Sequence, residues 1–62
     1  MAQLLTRYQI LEALREREGQ TVSGGELAET LNISRTAVWK SIATLQGEGY
    51  RIESVPNRGY RF

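Results

Sequence analysis

The 62-residue sequence contains no cysteine, no histidine and no aspartate. Disulfides, thiolate nucleophiles, imidazole acid–base chemistry and the usual zinc sites are excluded with them. No stretch approaches the roughly 20 apolar residues of a membrane span, and the N-terminus lacks a basic segment followed by an apolar run and a cleavage site. A soluble, cytoplasmic chain is the expectation, and the lack of thiols is compatible with a reducing compartment.

What is present suits one small folded domain over residues 1–62. The hydrophobic fraction of 40% and the charged fraction of 24% are those of a globular chain with enough apolar surface to fold. A chain of this size buries only about 60% of the surface it exposes when unfolded, so a second domain or a two-domain enzyme is ruled out. The net charge of +1 conceals an asymmetry. Up to Ile33, Arg7, Arg15 and Arg17 face five glutamates, and from Ser34 onward Arg35, Lys40, Arg51, Arg58 and Arg61 face only Glu48 and Glu53. A basic second half points to a polyanionic partner, although surface charge in a small domain also divides unevenly by chance.

The order of elements follows from periodicity and punctuation. Leu4, Tyr8, Leu11 and Leu14 share one helical stripe, which predicts a first helix from about Leu4 to Glu18, stopped by Gly19. Gln20-Thr21-Val22 suits an extended link or a short extra strand. Ser23 and Glu26 form a capping-box pattern, in which the hydroxyl takes the Glu26 amide and the carboxylate reaches back to the Ser23 amide. That second helix ends at Asn32, which tolerates a left-handed turn. Ser34 caps a third helix with Val38, Ile42 and Leu45 on its inner stripe and Gly49 as its stop. From Tyr50 the period becomes two, with Tyr50, Ile52 and Ser54 on one side, and Pro56 to Gly59 supply a turn before Tyr60-Arg61-Phe62. The predicted fold is α+β: three helices followed by a two-stranded β-hairpin.

A short helix, a tight turn and a capped helix make a helix-turn-helix over residues 24–43, and the hairpin over 50–62 makes it winged. With Val38 at zero and about 100° per residue, Thr36 lies near roughly 160°, Lys40 near 200° and Ala43 near 140°, opposite the apolar stripe. A small, polar outer face of that kind fits a DNA major groove, where base edges are read. Ser34 and Arg35 sit at the helix N-terminus, where free amides favour an anion. Arg58 at the hairpin tip, with Arg51 and Arg61 on the strands, is placed to clasp the DNA backbone or enter the minor groove. Trp39, near roughly 100°, borders core and outer face; core-edge packing is the first expectation and contact with a phosphate or thymine methyl the second. The candidate DNA-binding residues are therefore Ser34, Arg35, Thr36, Trp39, Lys40, Arg58 and Arg61. An ordinary amphipathic helix and a solubilising turn would show much the same pattern. Gly24-Gly25 lacks the rest of a nucleotide loop and reads as a permissive first turn. Glu12 and Glu16 share a polar face with no apolar pocket to make them an acid–base pair.

The runs Ser23-Gly-Gly-Glu-Leu-Ala-Glu-Thr-Leu31, Ile33-Ser-Arg-Thr-Ala-Val-Trp-Lys40 and Glu53-Ser-Val-Pro-Asn-Arg-Gly-Tyr60 resemble the N-terminal domain of the bifunctional biotin-protein ligases that double as biotin operon repressors. The resemblance extends from the first helix through the wing. It implies operator binding by Gly24 through Ala43, with Ser34, Arg35, Thr36 and Lys40 in contact and Arg58 in the wing. Asn57 stands where relatives often carry glycine, which leaves the turn type open. The resemblance implies no cofactor for this domain; ATP, biotin and biotinyl-adenylate belong to a catalytic region of the parent protein, whose biotinyl-adenylate loop is missing here. It further implies a domain cut from a larger repressor, monomeric alone, whose parent dimerises on a palindromic duplex operator. A nicotinate-responsive winged repressor is the alternative within the DNA-binding class, with the Val-Pro-x-x-Gly-Tyr run against it. A winged domain used only for protein contact is the alternative outside that class.

Overall fold

The computed structural model describes residues 5–62. It has three helices and a small antiparallel sheet, as a winged helix-turn-helix requires: α1 (Thr6–Glu16), β1 (Thr21–Val22), α2 (Gly24–Leu31), α3 (Arg35–Gly47), β2 (Glu53–Val55) and β3 (Gly59–Arg61). Leu4, assigned above to the first stripe, lies outside the described residues. The core is assembled from Ile10, Leu11 and Leu14 of α1, Val22 of β1, Leu27 and Ala28 of α2, Val38, Ile42 and Leu45 of α3, and Ile52 ahead of the sheet. Burying each of the larger side chains contributes about 1.5–3 kcal/mol. The stripe drawn for α1 omitted Ile10, which is fully buried, and included Tyr8, which packs only at the edge. The face that meets α3 is thus centred on Ile10 and Leu14, one turn apart.

Local chemistry sets the helix ends. Helix α1 stops at Glu16, ahead of the predicted Glu18, because the Arg17 and Glu18 amides tighten onto the Leu14 and Arg15 carbonyls. Gly19, with φ +86°, then turns the chain and donates its amide to the Phe62 carbonyl at 3.3 Å. The Ser23 hydroxyl accepts from the Glu26 amide at 2.9 Å, but the Glu26 carboxylate pairs with the Arg17 guanidinium, so only half of the expected capping box forms. Asn32 adopts φ 56°, and the Ile33 amide reaches the Ala28 carbonyl at 2.9 Å, closing α2 in a Schellman motif. The same motif ends α3: Gly49 has φ +103°, and the Tyr50 amide donates to the Leu45 carbonyl at 3.1 Å.

The Ser34 hydroxyl caps α3, accepting from the Ala37 amide at 3.0 Å. Replacing Ser34 with alanine should lower stability by about 1 kcal/mol, a fall of roughly 4–8 °C in thermal midpoint for a domain this small. A calorimetric scan checks this, and Ser34→Asp, which keeps a capping oxygen, should recover most of the loss.

The sheet order is β1-β3-β2, with Thr21 opposite Arg61, Val22 opposite Tyr60, and Ser54 also opposite Tyr60. Of the two readings open at 20–22, the short extra strand is the one that forms, paired at the edge, and the sheet has three strands. Its strands are shorter than the period-two pattern suggested. Residues 50–52 run outside the ladder, tied down by a 2.7 Å hydrogen bond from Gln46 Nε2 to the Ile52 carbonyl. Pro56 and Asn57 hold the central positions of the turn, Asn57 has φ 61°, and the Arg58 amide donates to the Val55 carbonyl at 3.0 Å. Proline first and positive φ second are the requirements of a type II turn, which resolves the turn type left open by the missing glycine.

Candidate nucleic-acid interface

Thr36, Trp39, Lys40 and Ala43 follow the i, i+3, i+4, i+7 spacing along α3, and all four are exposed. They are backed by buried Val38, Ile42 and Leu45, which lock the helix rotation against the core. Trp39 is 53% exposed, which corrects the core-edge expectation. Its indole lines an open groove of about 420 Å³ between the N-terminal halves of α2 and α3 and the wing turn. Arg35 lines the groove from the helix side and Asn57 and Arg58 from the wing, while Gly24, Gly25 and Tyr60 complete its walls.

The wing reaches this position because of Gly59. Val22 lies opposite Tyr60, so the residues that follow and precede them, Ser23 and Gly59, pass each other as the chain leaves β1 to cap α2. A Cβ at Gly59 would collide with the Val22 carbonyl oxygen and stand 2.6 Å from the Ser23 Cα, and Gly59 also has φ +140°. Only glycine fits that approach. The base of the wing therefore rests directly on the cap of α2, and its turn stands beside α3.

Ion pairing divides the cations into two sets. Arg7 pairs with Glu48 at 3.2 Å, Arg17 with Glu26, and Arg61 with Glu53, whose carboxylate Arg61 Nε meets at 2.9 Å. Among the described residues, no carboxylate pairs with Arg15, Arg35, Lys40, Arg51 or Arg58, and of these Arg35 and Arg58 line the groove. Arg61, a candidate for the DNA backbone, also braces β3 against β2 through this exposed pair. Ser34 is exposed; its hydroxyl oxygen accepts from the Ala37 amide, which leaves its proton to donate. Tyr60 lines the groove without having been a sequence candidate, and Gly25, which the sequence marks as a permissive first turn, lines it too. The Gly-Tyr pair ending the wing was visible in the sequence; what Gly25 faces was not.

A helix-turn-helix whose third helix presents a small, polar, partly cationic face, flanked by a wing, defines a DNA-binding domain. The family model described as HTH domain matches residues 6–61, and the chain belongs to that family. It is 40% identical over 55 residues to the bifunctional ligase/repressor BirA of Bacillus subtilis and, equally, to that of Bacillus spizizenii, covering 89% of this chain and 17% of each relative. It is 41% identical over 54 residues to the probable transcription repressor NiaR of Thermotoga maritima, covering 87% of this chain and 30% of that protein. The chain spans less than a third of any of these relatives, and the ligase part of BirA lies outside the match. Identity does not separate the two kinds of repressor, and the Val-Pro-x-x-Gly-Tyr run does not decide between them.

Proposed function

We propose that the chain is the operator-binding domain of a biotin-responsive transcriptional repressor, acting in the cytoplasm on duplex DNA, with α3 in the major groove and the wing turn on the backbone. The observation that carries this reading is that Arg35 and Arg58 line one groove with Trp39 and that Lys40 follows Trp39 on the exposed face of α3, none of the three cations being held in an ion pair. Thr36 and Lys40 are assigned to base edges and Trp39 to a thymine methyl or the adjoining sugar. Arg35 and Arg58 are assigned to phosphates, which fix register without reading sequence. Ser34 orients the helix through its cap, and its hydroxyl proton is assigned to a phosphate oxygen. Residues 24–43 and 50–62 serve as reading head and wing of this single domain.

Two such domains on a palindrome, brought together by dimerisation of a ligase region that uses biotin, ATP and biotinyl-adenylate, would give the full affinity. Alone, the domain is monomeric and binds with a dissociation constant of about 10⁻⁴–10⁻⁶ M. The comparable identity to NiaR supports a second reading, a repressor of the same DNA chemistry with another effector such as nicotinate. Operator affinity of the parent protein with biotin and ATP, against nicotinate, distinguishes them.

Titrating duplex DNA while recording amide shifts tests the proposal. Shifts are expected at Arg35, Thr36, Lys40 and Arg58 at low salt, and Lys40→Ala should weaken binding by roughly tenfold. If those amides stay still, the DNA assignment fails and the surface is a protein contact.

A further inference from the structure

Gly25 sits in the first turn of α2, where its φ lies outside the left-handed range. Nothing in the backbone there demands glycine, and alanine would favour the helix. The space beside it is occupied instead. A Cβ at Gly25 would stand 2.7 Å from Arg35 Nη2, 3.1 Å from Cζ and 3.2 Å from Nε. The Arg35 guanidinium therefore fills the volume that any side chain at position 25 would take, folded back from α3 across the start of α2. That pose keeps it in the groove with Arg58, apart from Thr36 and Lys40 on the outward face.

We propose that Gly25 is a positioning residue for DNA binding: its missing side chain holds the Arg35 guanidinium in the groove, where it takes a backbone phosphate together with Arg58. The proposal rests on the DNA-binding reading of the same groove. A long arginine side chain loses conformational freedom when it binds, and a guanidinium already seated loses less of it. An added Cβ displaces the end of a flexible side chain and leaves the helix backbone in place, so folding and binding should respond in opposite directions.

The test uses the 62-residue chain and a labelled mixed-sequence DNA duplex at low salt, read by fluorescence anisotropy beside thermal unfolding. Gly25→Ala should melt at or above the wild-type temperature yet bind roughly tenfold more weakly, with a log–log salt slope shallower by about 0.9. Arg35→Ala should lose a similar factor, and in that background Gly25→Ala should cost nothing more. Full binding by Gly25→Ala while Arg35→Ala is weakened overturns the positioning role and leaves the DNA reading intact. An equal loss from Gly25→Ala with and without Arg35 also overturns it, because the glycine then acts on DNA by itself. A wild-type chain that ignores the duplex defeats the DNA reading as well. Should Gly25→Ala melt lower than wild type, Gly25→Ser, which adds the same Cβ, repeats the comparison, and a loss of binding that follows its melting temperature and not Arg35 counts against the proposal.

Discussion

Gly59→Ala lowers the thermal midpoint by more than about 12 °C, or leaves the chain unfolded at room temperature. Two costs act at once. A residue with a side chain held in a glycine-only region of φ loses about 1–3 kcal/mol. The new methyl meets the Val22 carbonyl and the Ser23 Cα, backbone atoms that cannot rotate away, and overpacking of this kind costs about 1–3 kcal/mol more. A 62-residue domain has only about 3–9 kcal/mol in total. The chain escapes either by unfolding or by parting β1 from β3, and parting them releases the wing from the cap of α2. Circular dichroism during heating reads the first outcome, and loss of slowly exchanging amides in residues 21–22 and 59–61 reads the second. A midpoint within about 3 °C of wild type would show that the approach of Ser23 to Gly59 is looser than described.

The second large effect concerns affinity. Arg35→Ala combined with Arg58→Ala is expected to weaken duplex binding by roughly a hundredfold at low salt and to reduce the log–log salt slope by about 1.8, since each guanidinium is assigned one phosphate. The loss should be uniform across sequences, because phosphates are common to all of them. Arg15→Ala removes the same charge from an exposed position on α1 that does not line the groove, and should change affinity by less than about twofold. Equal losses from Arg15→Ala and from either groove arginine would mean that net charge, and not placement, drives association.

Much of this architecture was legible because it is encoded in short-range chemistry. Ser23, Asn32, Ser34 and Gly49 each act within a few residues of themselves, through a hydroxyl accepting an amide or a backbone able to turn left, and each does so where its spacing indicated. The outward face of α3 was equally readable, since Val38, Ile42 and Leu45 fix which side must be buried. What escaped depends on neighbours distant in sequence. Trp39 lies at the margin of the stripe, and its exposure follows from what stands beside α3 there, which is a groove and not another helix. The Glu26 carboxylate prefers Arg17, nine residues earlier, to its own cap. The pairing of Arg61 with Glu53 depends on the register of β2 and β3, which sets the two opposite each other. The pairing of β1 with β3 joins residues from opposite halves of the chain, and Gly25 looked like a mere loosener of a helix start until Arg35 was found against it.

The sheet order β1-β3-β2 places the latest-made strand in the middle. During synthesis Thr21 and Val22 emerge long before Tyr60 and Arg61, their partners. The helical trio can collapse around Ile10, Leu14, Val38 and Leu45 while the ribbon is still a dangling tail. A nascent chain of this kind acquires its shape well before it acquires its grip: the wing's arginine arrives beside α3 only when translation has passed the last strand.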